Sequence, residues 1–477
     1  MVLFAIIFLL RVIYATGQDG KETHPVCLFG AGPSGLTVAS ELQAKNISYM
    51  IFEKEGFIGG RAQKYIDPTT GESYSLGPNL MFAERHPVLV DMIQKFNVKV
   101  SSNQHSRMFH TFESHSERLG TIVRPELTAA ELEAFEKYDA LHATYAPYFV
   151  PFYEKGFPKD LALPFLDWLQ IHKIEILEKF FLDPISAHGY GYLGRTAALY
   201  VLNYMHPKVM KHLLGLPGFE NVLVRVDFHD LFVKLASTLT GKIILNATVG
   251  VLSRDRVGLD TFSYFQNGTR LTQKCSAAII AFPPDLEILE HFANYGWMDL
   301  DIFDKVRTQH LFTGVANASR LDKVAPYINI EAITYPGDVP VPPSHEGPIV
   351  RIDHEPKRGR FITHIPPLAK FYAWSTSTKI EDEDVFNLAI ETLSRINADI
   401  EVGPSNASVP LKKEDIKLFQ HWIHFPNVRS DGLMDNFYEK FKDFQGFCSA
   451  YWVSGLNSMD TIGNVVQTAK ELVATYF

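Results

Sequence analysis

A glycine-rich stretch near the start of the sequence, Gly30-Ala-Gly-Pro-Ser-Gly35, constrains the fold more than any other feature. It follows the apolar run Val26–Phe29, which is typical of a buried strand, and it precedes Leu36–Lys45, whose apolar residues recur at helical spacing. A second apolar strand, Ser48–Phe52, ends at the acidic residue Glu53. Strand, glycine turn, helix, strand and acid in this order predict a βαβ unit that binds a dinucleotide.

Each part of this unit has a physical reason. Gly30 permits the tight turn, Gly32 lets the backbone approach a pyrophosphate, and Gly35 lets the helix pack closely against the strand. The helix N-terminus presents its N–H groups to the phosphates, and Glu53 can accept hydrogen bonds from ribose hydroxyls. The alternative is a glycine-rich turn that holds no ligand. The cofactor contacts predicted in this stretch are Gly30, Gly32, Pro33, Ser34, Gly35, Glu53 and Lys54.

A second glycine turn, Gly59-Gly-Arg61, follows the acid closely, and Tyr74-Ser-Leu-Gly-Pro-Asn79 comes soon after it. With this run the chain resembles the FAD-dependent amine-oxidase superfamily, whereas simple NAD dehydrogenases lack it. The resemblance implies non-covalently bound FAD, with the Gly-Gly-Arg turn along the pyrophosphate and ribitol. The alternative for Arg61 is a surface salt bridge. The contacts that the resemblance implies here are Gly59, Gly60, Arg61, Leu76 and Gly77.

Three distant segments extend the resemblance. Lys242–Val251 is predicted as one strand, and its Val249 corresponds to the family residue whose backbone contacts adenine. Ala277–Pro284 matches a family strand that ends in a proline-containing turn. Tyr451-Trp-Val-Ser-Gly455 is predicted as the last strand, and the helix that begins at Ile462 would face the flavin, so that Gly455 and Ile462 become cofactor contacts. The family often carries glutamate after this glycine, but here the residue is Leu456.

The resemblance implies an α/β fold. Its centre is a Rossmann-like FAD-binding domain of the glutathione-reductase type, which is discontinuous in sequence. The predicted pieces of this domain are residues 24–100, 220–290 and 415–477. A helical insertion is predicted over residues 101–219, with helices over 128–138 and 161–181, and an α+β substrate domain over residues 291–414.

Export is predicted from the beginning of the sequence. Residues 1–17 form an apolar run that ends in small residues, as in a signal peptide, and the run is too short for a stable membrane span. A short membrane anchor is the alternative. Acceptor sequons support a secreted or lumenal glycoprotein, and the predicted glycosylation sites are Asn246, Asn267, Asn317 and Asn406.

The chain has three cysteines, Cys27, Cys275 and Cys448. Cys27 lies in an apolar strand and is predicted to be a small core residue. A bridge between Cys275 and Cys448 is possible but is not determined by the sequence. An odd number of cysteines does not indicate a disulfide-dense scaffold.

Composition excludes several classes of partner and site. The net charge is −9 and the basic residues form no long run, which argues against a nucleic-acid partner. Histidine, cysteine and acidic residues lack the spacing of metal ligands, so no metal is predicted. The sequence also lacks the Gly-x-Ser-x-Gly nucleophile motif. A small-molecule substrate is therefore expected.

Further motifs lie within residues 163–169, 183–192, 197–204, 422–428 and 437–440. They are similar to those of the bacterial polyunsaturated fatty acid isomerases, and the similarity runs with gaps over nearly the whole chain after the leader. In that family FAD takes a hydride from a carbon between two double bonds and returns it to another carbon, which gives a conjugated diene. An apolar tunnel lined by aromatic residues suits an acyl chain, and the chain holds 35 Phe and 20 Tyr.

The same resemblance suggests residues around the substrate. Arg107 corresponds to the arginine that binds the substrate carboxylate, although it could instead pair with a surface acid. Leu213 falls where the family has a gating aromatic residue, and leucine cannot stack on an arginine. His188, Tyr190 and Tyr192 are catalytic candidates. A structural histidine bonded to backbone, and aromatic packing by the two tyrosines, are the alternatives.

Three functions remain open from the sequence. The first is a flavin-dependent isomerase or desaturase of an unsaturated lipid that carries a carboxylate. The second is an oxidase of an amine, an amino acid or a secondary metabolite, which would reduce O₂ to hydrogen peroxide. The third is a lipid-binding protein in which FAD has only a structural role.

Overall fold

The structure is a computed structural model, and it describes residues 24–102, 108–113, 118–123, 127–186, 188–254, 260–286, 288–289, 301–318, 327–330, 349–354, 368–377, 379–396 and 409–477. The predicted leader 1–17, Arg107 and the sequon at Asn406 lie outside these residues. Within the described ranges, no helix is long and apolar enough to cross a membrane.

In the described ranges the strands fall into five sheets, and helices cluster between and around them. The strands are β1 Val26–Phe29, β2 Tyr49–Phe52, β3 Lys64–Ile66, β4 Ser73–Ser75, β5 Leu80–Phe82, β6 Val100–Ser102, β7 Met108–Glu113, β8 Arg118–Val123, β9 Leu223–Val226, β10 Lys242–Ile244, β11 Ala247–Arg254, β12 Asp260–Gln266, β13 Thr269–Cys275, β14 Ala277–Ile280, β15 Val306–Asn317, β16 Tyr327–Ile330, β17 Ile349–His354, β18 Leu368–Ser375, β19 Ile416–Val428 and β20 Ala450–Trp452. The α-helices are α1 Pro33–Ala44, α2 Pro87–Lys95, α3 Ala129–Tyr145, α4 Phe165–Ile171, α5 Glu178–Ser186, α6 Ala198–Tyr204, α7 Pro207–Leu213, α8 Phe228–Ser237, α9 Asp382–Ile396, α10 Ser430–Met434, α11 Phe437–Phe444 and α12 Ile462–Tyr476.

A five-stranded parallel sheet forms the centre of the cofactor domain, with strand order β10-β2-β1-β14-β20. Strands β1 and β14 are four-residue apolar runs that are buried throughout, as expected for strands covered on both faces. Helices α1 and α12 pack against each other beside this sheet. The predicted α/β, Rossmann-like fold is confirmed, and the sheet takes its strands from three separate parts of the chain.

A seven-stranded sheet has the order β19-β15-β18-β17-β16-β7-β8. Apolar residues of β15 and β18, such as Phe312 and Phe371, pack with Val385 and Leu393 of α9 to form a separate core. The sheet unites strands from the predicted substrate domain with β7 and β8 of the predicted insertion. It also includes β19, from the last predicted piece of the cofactor domain. The domain boundaries themselves stay a prediction.

In the sequence, helices α3–α7 lie between the glycine turns and β9. Their aromatic residues form much of the largest core cluster. The helix predicted over residues 161–181 is wrong as a continuous element. The chain leaves α4 after Ile171, Lys173 adopts φ +53°, and a short 3-10 segment, Glu175–Leu177, precedes α5. Periodicity did not reveal this break because both flanking helices bury apolar residues of similar spacing.

A disulfide joins Cys27 of β1 to Cys275, the last residue of β13. Cys27 is therefore not merely a small core residue, and the possible Cys275–Cys448 bridge is excluded because Cys275 is already bonded. Strand β14 begins two residues after Cys275 and pairs with β1 from Val26 onward. That pairing brings the two sulfur atoms together across 248 residues of sequence.

Candidate cofactor and substrate site

The first glycine turn has the conformation that the motif predicts. Gly30 has φ +111°, a region that L-residues with side chains rarely adopt, and its N–H donates to Phe52 O at 2.8 Å. A Cβ atom at Gly35 would lie 1.9 Å from Gly30 O, so that only glycine allows α1 to start this close to β1. Gly32 caps α1 without a side-chain acceptor, and Pro33 and Ser34 occupy its first turn. The helix N–H groups at this end therefore remain available for an anion.

Glu53 lies buried at the end of β2, as predicted. Its Oε2 accepts from Ala31 N at 2.7 Å and its Oε1 accepts from Glu55 N at 2.9 Å. Burial raises the pKa of this carboxyl group above its usual value, although the two backbone donors act against that shift. Each oxygen retains a second lone pair for a ribose hydroxyl. Lys54, the neighbouring predicted contact, is exposed and pairs with Glu55 at 3.6 Å.

The second glycine turn lies directly against the first. Gly59 N donates to Ala31 O at 2.8 Å, and a Cβ atom at Gly60 would lie 3.1 Å from Gly32 Cα. Gly77 approaches the same turn, because a Cβ atom there would lie 1.9 Å from Arg61 O. Backbone without side chains therefore surrounds the start of α1 on several sides. This cradle and the Glu53 carboxylate fit the pyrophosphate and ribose of FAD.

Arg61 is paired inside the protein. Its Nη2 donates to Asp460 Oδ1 at 2.6 Å and Oδ2 at 2.8 Å, and Nη1 contacts Nδ1 of His424. Nδ1 of His424 also lies 3.3 Å from Asp460 Oδ2, and its Nε2 lies 3.3 Å from His188 O. The Asp460 side chain is 2% exposed and also accepts from Phe425 N at 2.8 Å.

Arg61 therefore links the second glycine turn to the segment before α12 and to β19. The sequence suggested neither Asp460 nor His424 as its partners. An aspartate five residues after Gly455 belongs to no recognised motif, and its contact with Arg61 spans 399 residues. Whether Arg61 also reaches the pyrophosphate of FAD stays a prediction.

The Gly189-Tyr-Gly191 loop lies against β15 and β19. Both glycines have positive φ, +77° and +84°. Tyr190 OH donates to Asp460 O at 3.1 Å, and its ring lies 5.1 Å from the ring of His424. The loop therefore places Tyr190 beside the Arg61–Asp460 pair.

The two other catalytic candidates have structural partners as well. His188 Nδ1 lies 2.6 Å from Pro184 O, and the Tyr192 ring packs 4.6 Å from that of Trp374. Burial raises the pKa of Tyr190 well above its usual value, so its phenol stays protonated at neutral pH. The catalytic roles of His188, Tyr190 and Tyr192 stay predictions.

The remaining predicted positions are distributed around the same region. Leu76 is buried and its N–H donates to Gln63 O at 2.9 Å, while Val249 lies in β11 opposite Tyr264. A Cβ atom at Gly455 would lie 2.5 Å from Asp460 Cγ, so this glycine permits the tight turn that carries Asp460. Ile462 opens α12 directly after that turn. Leu213 ends α7 and packs against the core formed by the helices.

A second cationic site was not anticipated from the sequence. Arg85 follows β5, and its Nη1 and Nη2 donate to the backbone O and to Oδ1 of Asn203, the latter at 2.6 Å. The Phe149 ring lies 5.6 Å from its Cζ. Burial lowers the pKa of Arg85 to about 10, and among the described residues no carboxylate forms an ion pair with it. In the sequence, Glu84-Arg85-His86 looks like an ordinary surface segment.

Arg85 belongs to a cluster, which we call the Arg85 cluster. Three of its members are histidines. Each has a lowered pKa, about 4 for His86 and His206 and about 3 for His142, mainly because of burial. These imidazoles are therefore neutral at pH 7. The cluster consists of Arg85, His86, Tyr138, His142, Tyr153, Asn203 and His206.

The Arg85 cluster packs on the segment between β20 and α12. A Cβ atom at Gly463 would lie 2.2 Å from His86 Cγ, so the imidazole lies directly on the start of α12. Asn203 Nδ2 donates to Tyr153 OH at 3.1 Å, and that hydroxyl also bonds to Ser458. The cluster therefore contacts the segment that the family resemblance assigns to the flavin.

The described sequons differ in exposure. Asn246 and Asn267 are exposed at positions with positive φ, between β10 and β11 and between β12 and β13. Asn317 lies within β15, and its Oδ1 is buried without a hydrogen-bond partner. Within the described part of the chain, no three or more His, Cys, Asp or Glu side chains are arranged so that they could hold a metal ion.

A family model described as flavin containing amine oxidoreductase matches residues 33–286, more than half of the chain. Similar curated proteins include uncharacterized protein R656 of Acanthamoeba polyphaga mimivirus, which is 25% identical over 100% of this chain and 98% of its own length. The FAD-dependent oxidoreductase pigF of Monascus ruber is 21% identical over 94% of this chain and 90% of its own. Beta-cyclopiazonate dehydrogenase of Aspergillus flavus is 21% identical over 94% and 92%.

Two solved structures share the fold over almost the whole chain. The CLA-producing fatty acid isomerase from P. acnes has a TM-score of 0.73 and 18% identity, covering 96% of this chain and 100% of that one. Putrescine oxidase bound to putrescine has a TM-score of 0.61 and 13% identity, covering 95% and 98%. The chain therefore belongs to the flavin containing amine oxidoreductase family and is an FAD-dependent oxidoreductase.

Proposed function

We propose that this member of the flavin containing amine oxidoreductase family isomerises an unsaturated lipid that carries a carboxylate. The two glycine turns and Glu53 would hold FAD, which would accept the hydride of a lipid C–H bond and supply a hydride to another carbon as the double bond moves. No net oxidation occurs, so no further oxidant is required. FAD supplies the hydride chemistry when bound.

The aromatic packing of the helical region against the segment between β20 and α12 carries this proposal. Tyr190 OH donates to Asp460 O at 3.1 Å, and Tyr438 OH donates to Leu456 O at 3.0 Å. Tyr200 OH bonds to Tyr438 OH at 2.7 Å, and these three rings are buried. The phenols satisfy the polar backbone while their buried rings keep the surroundings of this segment apolar, which suits a hydrocarbon substrate and excludes water.

The chain's own residues would then position and shield the substrate. Burial keeps the phenols of Tyr190, Tyr200 and Tyr438 protonated, and hydride transfer needs no general base from them. Likeness of fold to the CLA-producing fatty acid isomerase over 96% of the chain supports the same substrate class.

A second candidate is net oxidation of a small metabolite with transfer of electrons to O₂. The relatives from Monascus ruber and Aspergillus flavus, whose names describe an oxidoreductase and a dehydrogenase, favour it because they align over more than nine-tenths of this chain.

Anaerobic incubation of the FAD-loaded protein with linoleate separates the candidates, with diene absorbance and flavin absorbance recorded together. Isomerisation predicts growth of diene absorbance while the flavin is oxidised at the end. Bleaching of the flavin that recovers only after air is admitted supports the oxidase instead. If neither signal changes, the isomerase proposal for this substrate class is wrong.

We further propose that the protein matures in the secretory pathway. Disulfides form in oxidising compartments, and the Cys27–Cys275 bond lies within the cofactor domain. The exposed sequons at Asn246 and Asn267 are consistent with that route, whereas Asn317 lies within β15 and pairs there with Leu368 of β18, which makes it a poor acceptor. Expression in a eukaryotic secretory host followed by glycosidase digestion tests this. A secreted protein whose mass does not change on digestion would contradict glycosylation, and retention in the cytosol would contradict export.

A further inference from the structure

The charge of Arg85 has no counter-charge among the described residues. Its acceptors both belong to the neutral residue Asn203, and the pKa values of His86 and His142 keep these neighbours uncharged at pH 7. The phenols of Tyr138 and Tyr153 are neutral too, because burial raises their pKa values. The cluster therefore carries one positive charge in aromatic surroundings.

Two carboxylates act electrostatically on His206 of this cluster, and both are paired with lysines. Glu84 pairs with Lys208 at 2.5 Å, and Asp139 pairs with Lys211. Both of these pairs are at least partly exposed to solvent. A partly buried guanidinium that is left without an anion is costly, and proteins normally pair such a group.

The guanidinium also keeps hydrogen-bonding capacity. Arginine has five N–H donors in a planar fork, and the contacts with Asn203 use one donor on each terminal nitrogen. The Phe149 ring, 5.6 Å from Cζ, stabilises the cation without neutralising it. An anion with two coplanar oxygen atoms is the ligand that matches the remaining donors.

We infer that Arg85 binds the carboxylate of the substrate, an inference that rests on the proposed function for the substrate class. The position is suitable because His86 lies on Gly463 at the start of α12, and Tyr153 bonds to Ser458 in the segment before it. A carboxylate on Arg85 would therefore lie at the end of the aromatic region that adjoins the cofactor segment. This site differs from Arg107, which the family resemblance suggests.

Binding of an acid and of its alcohol distinguishes this role from a structural one. The FAD-loaded protein is titrated with linoleate and with linoleyl alcohol at pH 7.5, and the perturbation of flavin absorbance gives each dissociation constant. We expect the wild type to bind the acid about 10- to 100-fold more tightly, as a charged hydrogen-bond pair implies. Arg85→Gln should abolish this preference and change alcohol binding less than about twofold, whereas Arg85→Lys should retain part of it. Arg429→Gln, at a surface pair with Asp431, is the matched control.

A second variant keeps the test decisive if Arg85→Gln does not fold. Asn203→Asp places a carboxylate beside the guanidinium, so it should neutralise Arg85 and weaken binding of the acid but not of the alcohol. Equal preference for the acid in wild type and both variants, or no preference in the wild type, overturns the inference. If Arg85→Gln loses the preference for the acid but the wild type forms no diene, Arg85 binds the carboxylate and the proposed isomerase function is wrong.

Discussion

Substitution of Gly35 tests the central geometric claim about the cofactor site. A Cβ atom at this position would lie 1.9 Å from Gly30 O, whereas real Cβ atoms essentially never come within 3.0 Å of another heavy atom. Gly35→Ala therefore requires a movement of at least 1.1 Å (3.0 minus 1.9) between α1 and the first glycine turn. Neither side yields easily, because the neighbouring atom is a backbone carbonyl rather than a flexible side chain.

We expect Gly35→Ala to cost about 3 kcal/mol, the upper part of the usual range for overpacking. Because the displaced backbone forms the pyrophosphate cradle, FAD affinity should fall by about 100-fold. The ratio of visible to ultraviolet absorbance after gel filtration measures bound FAD, and thermal unfolding of the apoprotein measures stability. Gly218→Ala is the control for FAD content: Gly218 has φ +86°, which gives a strain of its own, but a Cβ atom there would meet nothing within 4 Å. Normal FAD content in Gly35→Ala would refute the assignment of this turn to the pyrophosphate.

Three further predictions follow from buried groups. The folded pKa of His142, about 3, is below its unfolded value of 6.5, so the unfolded chain binds more protons and stability falls as pH falls. The unfolding free energy of the wild type should fall between pH 6.5 and 5, and in His142→Gln this fall should be smaller by about 2 kcal/mol in urea titrations. An equal fall in both proteins would contradict this. Asp460→Asn should lower the unfolding free energy of the apoprotein by about 3–5 kcal/mol, because Arg61 loses its buried counter-charge; a loss below about 1 kcal/mol would be inconsistent with that pairing. Removal of the disulfide in a Cys27→Ala, Cys275→Ala double variant should lower the unfolding free energy by about 3–5 kcal/mol. The reduced wild type should have the same unfolding free energy as the variant if no other bond is involved.

Local sequence determines the cofactor unit because each of its parts is a short-range feature. Strand β1, the two glycine turns and the acid Glu53 lie within 36 residues, and each rests on a backbone requirement that particular residue types meet. The strand predicted over residues 242–251 was less accurate, since the chain breaks at Asn246, which has φ +54°. Strand β10 joins the central sheet and β11 joins a different sheet, a choice that depends on distant partners.

The features that the sequence did not reveal all depend on contacts between remote segments. Arg85 meets Asn203 across 118 residues, and Arg61 meets Asp460 across 399. No local sequence motif identifies either pair, because these residue types are common and the contact forms only when folding brings the two segments together. The Cys27–Cys275 bond is similar, since three cysteines allow several pairings and only the register of β1 with β14 selects one.

The strand order of the central sheet has a consequence for biosynthesis. Strand β20 is the outer neighbour of β14, and α12, which packs on α1, ends at Tyr476. On a ribosome, the first glycine turn would emerge more than 400 residues before the strand and helix that complete its domain. The nascent chain therefore leaves the outer edge of β14 and the side of α1 that α12 covers exposed until translation is nearly complete. Chaperone dependence and post-translational uptake of FAD are the expected result.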